Sequence, residues 1–422
     1  MTAPIIGFAG MTHLGIVSAA AAAARGFNVV CYDPAPDRID ALVADRLPVF
    51  EPNLEQTCRT NAARIKFTND PARFDGCDVV YVAPDVPTND VGESDLSAIN
   101  LIIAQVIARP NPFTVVVLSQ VPPGFTRRLD RGNHPLHYQV ETLVFGNALE
   151  RAVKPERFIV GCADSAEPLP AAYESFLKAY GCPILPMRYE SAELAKIAIN
   201  CCLVAMVSTA NTLAELCEGI GADWSEIVPA LRLDRRIGQY SYLAPGLGIA
   251  GGNLERDLAT VQRLAAREGS DAGVVKAWVA NSRHRRDWPL HVLQRTILAK
   301  KSDPEIGVLG LAYKQDTHSI KNSAAVALVD ALTSARIKAY DPVVNAATVL
   351  RPNLTHMAEP LQVADGADAI AVMTPWPVFR KIDPAEIASR MSGKLVLDPY
   401  GMLDPAACRA VGLEQYRLGV SR

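Results

Sequence analysis

The sequence predicts an α/β protein with two parallel-sheet domains joined by a central helical domain. Three observations carry this. Short apolar runs bounded by turn residues alternate with helix-length segments at both ends of the chain. The stretch between them has helical periodicity alone. Both ends also share one order: a strand, a glycine turn, a helix, then a strand closing in Tyr-Asp-Pro, at Tyr32 to Pro34 and at Tyr340 to Pro342. That order is Rossmann-like. The expected domains are 1–190, 191–300 and 301–422.

The N-terminal strands are "IIGFA", "FNVVCYD", "DVVYVAP" and "FTVVVLSQ". Helices are expected from Gly15 to Gly26 and from Leu96 to Ala108. Strict alternation implies a parallel sheet with right-handed crossovers. The run "SAAAAAA" is too short to span a bilayer. It fits an alanine-rich helix packed closely on a sheet. From about Ser191 to Arg286 no strand interrupts the pattern, and "SAELAKIAINCCLVAMVSTANTLAELCEGIGA" holds helical spacing over about eight turns. This helix carries more apolar surface than one domain needs, which predicts a homodimer. After "AKKSDPE" the alternation returns with "EIGVLGLAY", "RIKAYDP", "AIAVMT" and "KLVLDPY".

Composition excludes several classes. The chain has 422 residues and a net charge of −3, so it offers no basic footprint for nucleic acid and no polybasic signal for an anionic membrane. No charged segment precedes a long apolar one, so no signal peptide is read. Nine cysteines are scattered without CxxC spacing, which reads as free thiols in a reducing cytoplasm rather than a zinc site. His13 and His318 stand alone, and no metal is expected.

"IIGFAGMTHLG" puts Gly10 at the end of the first strand and Gly15 at the start of the helix. A dinucleotide diphosphate needs backbone amides at such a helix N-terminus. The usual pattern is GxGxxG, and Thr12 stands at its middle glycine. Asp33 ends the next strand at the distance expected of a ribose-binding acid, which favours NAD over NADP.

Further segments are "PVFEPNL", "VAPDVPTNDVGESDLS", "SQVPPGFT" with Gln120 at a threonine, "QVETLVFGNAL" keeping Glu141, "KPERFIVG", "AELAKIAINCCLV", "DRRIG" and "VLGLAYKQDTHSIKNS". Together they resemble the UDP-glucose/GDP-mannose dehydrogenase family. In the last, Lys314 is kept and Lys321 replaces an arginine. "PGLGIAGGNLERD" resembles the family's "PGPGFGGSCFPKD": Pro245 and Asp257 match at its ends, Arg256 falls on the lysine, and Asn253 falls on the cysteine.

The resemblance implies NAD on the N-terminal domain, a nucleotide sugar on the C-terminal domain and a dimer through the central helices. The family oxidises a primary alcohol twice, to a carboxylate. Its cysteine captures the intermediate aldehyde as a thiohemiacetal. The catalytic residues implied here are Lys196 for the alkoxide, Asn200 one turn on, Asp257 as base through a water, Glu141 in acid/base assistance, and Asn253 in the cysteine's place. NAD contacts are expected at Gly10, Thr12, Leu14, Gly15, Asp33 and Gln120. Substrate contacts are expected at Leu143, Arg236, Gly248, Gly251, Lys314 and Lys321, with Arg236 reaching the partner's substrate. The glycines of the 245–252 loop are expected to leave their amides bare, and Asp257 is also expected to cap the helix that follows.

An amide is not a nucleophile. The sequence therefore leaves three readings: a single two-electron oxidation to an aldehyde or ketone, a four-electron oxidation by direct hydration, and a binding homologue without activity. A UDP sugar is favoured.

Overall fold

The computed structural model describes residues 3–89 and 92–421. Asp90 and Val91, within the resembling segment "VAPDVPTNDVGESDLS", lie outside the described residues. The chain divides into two compact units, Met1–Ile199 and Asn200–Arg422.

The first unit is built on an eight-stranded sheet. Its strands are β1 (Ile6–Ala9), β2 (Val29–Tyr32), β3 (Ile65–Thr68), β4 (Val79–Val82), β5 (Thr114–Val117), β6 (Leu136–Gln139), β7 (Phe158–Cys162) and β8 (Ile184–Arg188). They lie in the order β3-β2-β1-β4-β5-β6-β7-β8. The four strands expected from sequence are present. They pair in parallel as expected, and farther along the sheet β7 runs antiparallel to β6, with Tyr138 opposite Gly161. The central strands β4 and β5 are fully buried, as valine-rich strands covered on both faces should be.

Helix α1 (His13–Ala24) follows β1 directly. Ala19 through Ala23 are at most 1 % exposed. Alanine favours the helix and its small side chain permits close packing on the sheet. The helix stops at Gly26, whose φ of +92° suits glycine. The unit also holds α2 (Pro36–Val43), α3 (Leu54–Thr60), α4 (Ser97–Ile107), α5 (Ala148–Val153) and α6 (Ala171–Lys178).

Helix α7 (Tyr189–Ile220) has 32 residues and carries the division between the units. By length and composition it could cross a membrane. Gly221, at φ +86°, ends it. The second unit continues with α8 (Trp224–Leu233), α9 (Asn253–Glu268) and α10 (Gly273–Arg286).

A six-stranded parallel sheet follows, in the order β11-β10-β9-β12-β13-β14. These strands are β9 (Glu305–Leu309), β10 (Arg336–Tyr340), β11 (Leu354–His356), β12 (Ala369–Val372), β13 (Leu395–Leu397) and β14 (Glu414–Tyr416).

The likeness between the two ends extends to atoms. Gly10 N–H donates to the Tyr32 carbonyl at 2.8 Å, and Gly310 N–H donates to the Tyr340 carbonyl at 2.7 Å. The Asp33 carboxylate accepts from Met11 N–H at 2.8 Å. The Asp341 carboxylate accepts from Leu311 N–H at 2.7 Å and Ala312 N–H at 3.0 Å.

Candidate active site

The expected residues fall into two groups, one in each unit. In the first unit the strand–turn–helix at β1 and α1 is tight. Gly10 has φ +98°, and a Cβ on it would meet the backbone of Pro84. A Cβ on Gly15 would collide with the Gly10 carbonyl oxygen. Both positions therefore require glycine. Thr12 is the N-cap of α1 with an extended backbone, and its side chain does not cap its own helix. Leu14 is buried at 6 % exposure in the apolar core under α1, so only its backbone faces the turn. Gln120 is buried just beyond β5.

Asp33 is 1 % exposed and already engaged. Besides Met11 N–H, it accepts from Ala35 N–H at 3.0 Å and from Arg38 Nη1 at 2.8 Å. Its first role is thus to hold the β1–α1 turn on the end of β2.

Glu141 and Lys196 do come together. Lys196 Nζ lies 2.8 Å from Glu141 Oε1, with each side chain only 12–13 % exposed. The other Glu141 oxygen accepts from Leu143 N–H at 2.9 Å, which fixes the carboxylate beyond β6. One turn earlier on α7, the fully buried Glu193 accepts from Gly124 N–H at 2.5 Å and Thr126 N–H at 2.8 Å. Burial pushes the Glu193 carboxyl upward, against those bonds. This anchors the "PPGFT" loop to the helix that carries Lys196.

Two carboxylates that the sequence did not single out shape the α1 turn. Glu51, 5 % exposed, accepts from Gly146 N–H at 3.1 Å and Ala148 N–H at 2.7 Å. It also lies 3.3 Å from His13 Nε2, and the His13 ring stacks on Phe145 at 4.2 Å. Asp85 accepts from His13 N–H at 2.9 Å.

In the second unit Asn200 Nδ2 donates to Asp257 Oδ2 at 2.5 Å, joining α7 to α9. Asp257 is 1 % exposed, and Arg256 Nε stands 3.5 Å from its other oxygen. Asp257 is not the cap of its helix. Helix α9 starts at Asn253 with Gly252 as N-cap, so Asp257 lies in the second turn. Asn253 is exposed at the first position of α9.

The glycine loop is less bare than expected. Gly246 N–H donates to Asn211 Oδ1 at 2.8 Å, and Gly251 N–H donates to the Lys321 carbonyl at 3.0 Å. Gly248, at φ +78°, lies so close to Ser282 that a Cβ would strike its carbonyl. Gly251, at φ +81°, packs under the Tyr313 ring. The loop is therefore held against the segment 313–322. The Asn322 amide bridges the Gly251 carbonyl and the Glu255 carboxylate. Burial raises the Glu255 carboxyl, the larger effect over its bond to Asn322. Lys314 and Lys321 are half-buried on that same segment.

Cys201, on α7, packs with Ile249 and Leu254 in an apolar cluster, and burial pushes it up to about 11. Arg236 is apart from these residues. Its side chain is 88 % exposed and forks onto Asp234 at 2.6 and 3.0 Å. Among the described residues no cluster of His, Cys, Asp and Glu is arranged for a metal.

Three family domains match the chain. Residues 5–177 match the NAD binding domain of the UDP-glucose/GDP-mannose dehydrogenase family, 190–283 its central domain, and 307–405 its UDP binding domain. The chain is 30 % identical over 413 residues to a UDP-glucose 6-dehydrogenase of Rhizobium meliloti, covering 92 % of this chain and 93 % of that one. It is 28 % identical over 440 residues to a UDP-glucose 6-dehydrogenase of Pseudomonas aeruginosa, covering 98 % and 97 %. A solved UDP-glucose dehydrogenase of the archaeon Pyrobaculum islandicum matches 100 % of this chain and 98 % of its own, with TM-score 0.86 and 26 % identity. The chain therefore belongs to the UDP-glucose/GDP-mannose dehydrogenase family, whose members are NAD-dependent dehydrogenases of nucleotide sugars.

Proposed function

We propose that this protein oxidises a nucleotide sugar with NAD in a single two-electron step and releases an aldehyde or ketone. The observation that carries the reading is Asn253 at the first position of α9, directly after the glycine loop. A carboxamide does not add to an aldehyde, whereas a thiolate does. Cys201 is a poor replacement, because it packs in the apolar cluster with Ile249 and Leu254, where burial disfavours the thiolate.

NAD, when bound, supplies the hydride acceptor. Gly10, Gly15 and the backbone around Thr12 and Leu14 fit a dinucleotide at the N-terminus of α1, and Gln120 lies beyond β5, two strands from β1. Asp33 stands at the ribose end. Lys196 would stabilise the alkoxide, with Glu141 holding its ammonium. Asp257 would take the hydroxyl proton through a water, with Asn200 orienting it. On the substrate side, Leu143, Gly248, Gly251, Lys314 and Lys321 are the proposed contacts, with Arg236 acting across a homodimer.

UDP-glucose is the first substrate to try, since the similar proteins are named for it. A cytoplasmic setting is supported by nine free cysteines, five of them buried.

The test is stoichiometry. One NADH per sugar consumed, with a carbonyl product trapped by hydroxylamine, is expected. Two NADH per sugar with a uronic acid as product would replace this reading by direct hydration of the aldehyde.

A further inference from the structure

The first turn of α1 is already closed by an anion from the chain itself. Helix N-termini bind anions because their first amides lack partners and the helix dipole favours negative charge. Here the Asp85 carboxylate accepts from His13 N–H at 2.9 Å and from Leu14 N–H at 3.4 Å. The bond is reciprocal, since Asp85 N–H donates to Thr12 Oγ1 at 2.7 Å. Thr12, standing where the usual pattern has glycine, is therefore the residue that latches Asp85 in place.

Asp85 comes from the loop after β4, between Pro84 and Pro87. Pro84 sits directly over Gly10, where a Cβ would touch its backbone. The proline fixes the local backbone, so the loop is preset to present Asp85 to the helix. Asp85 is nevertheless exposed, so solvent reaches it.

A dinucleotide diphosphate would claim those same amides. With Asp85 present it would lose them and face a like charge a few ångströms away, where repulsion is appreciable even near a surface. We propose that Asp85 is an internal plug of the diphosphate seat, so that NAD binds only as the 84–87 loop releases Thr12, His13 and Leu14. This rests on the reading that NAD sits at the N-terminus of α1.

The experiment is NADH titration of the full-length protein by fluorescence at fixed ionic strength. Asp85→Asn removes the charge while keeping an acceptor, and Asp85→Ala removes both. At least one is expected to bind NADH roughly tenfold tighter than the unaltered protein, a change of about 1.4 kcal/mol. Adenosine, which has no diphosphate, is expected to bind all three alike. Thermal unfolding of each variant checks that the fold is intact. NADH affinity unchanged or weakened in both variants overturns the plug. Asp33→Ala is the separate arm. If it weakens NADH binding while Asp85 variants do nothing, the seat stands and the plug fails. If it has no effect in the Asp85→Ala background, the seat is wrong and the plug falls with it.

Discussion

Lys196 Nζ on α7 lies 2.8 Å from Glu141 Oε1 at the end of β6, in a setting where neither side chain is more than 13 % exposed. The pair holds an ammonium in one place and leaves its remaining hydrogens to point elsewhere. Such a preset donor suits a developing alkoxide. Lys196→Ala is expected to lower kcat by about 10²–10³-fold, the usual loss when one preorganised donor is removed. NADH affinity should not change. Steady-state rates beside a binding titration check both, and an unchanged kcat would remove Lys196 from the chemistry.

Asn200 and Asp257 form a buried hydrogen bond between α7 and α9 at 2.5 Å. Asn200→Ala leaves a carboxylate at 1 % exposure short of one partner. The expected loss is about 1–3 kcal/mol of stability, read by chemical unfolding. An unshifted midpoint would mean that Asp257 is satisfied without Asn200.

Asp33 and Asp341 perform the same structural task in two sheets, each taking the amide after the glycine turn. Asp33→Ala and Asp341→Ala should both lower thermal stability. Only Asp33→Ala should also weaken NAD, by about 1.5–3 kcal/mol for a hydrogen bond to a charged group. Equal NAD affinity in the two variants would count against NAD at the N-terminus of α1 and leave Asp33 only the turn.

His137 lies in β6 at 8 % exposure, and burial pushes it down to about 4 from 6.5. Its folded form therefore resists a proton that the unfolded chain accepts. The contribution is full above pH 6.5 and is lost as pH falls towards 4, where it levels off. About 3 kcal/mol of stability should disappear across that window. Urea unfolding at several pH values measures it, and His137→Gln should flatten the slope. An equal slope in the variant would assign the loss to other groups.

Leu213, Leu216 and Ile220 are 40 %, 54 % and 75 % exposed at i, i+3 and i+7 on α7. Residues at that spacing share one face of a helix. Light scattering at micromolar concentration is expected to give a dimer mass, and Leu216→Glu to shift it towards the monomer. A monomer mass for the unaltered protein would refute the dimer.

The two sheets, the glycine turn of α1 and the long helix are legible in the sequence, because each is a local pattern. Valine-rich runs such as "FTVVVLSQ" must be buried strands, and the alanines of α1 allow only a closely packed helix. Two other strands lack that pattern. Leu136–Gln139 contains His137 and Gln139, and Gln139 is satisfied in the core because it accepts from the hydroxyls of Tyr81 and Tyr173 at 2.9 Å. Ile184–Arg188 holds Pro186 and tolerates it as an edge strand with one side open. The motifs also marked Glu141, Lys196, Asn200 and Asp257 as residues to watch, without saying what each would touch.

Those contacts arise in the packed chain alone. Lys196 meets Glu141, Glu51 ties His13 to the loop before α5, and Asp85 reaches the amides of α1. Each joins a side chain to groups far away along the chain, and hydrophobic periodicity carries no record of such pairs. The glycine loop differs from its sequence pattern for the same reason. Its amides read as bare in the sequence, but Asn211 and the Lys321 carbonyl, both remote in sequence, take the protons of Gly246 and Gly251. A buried backbone donor must find an acceptor, and only the packed chain determines which one it finds.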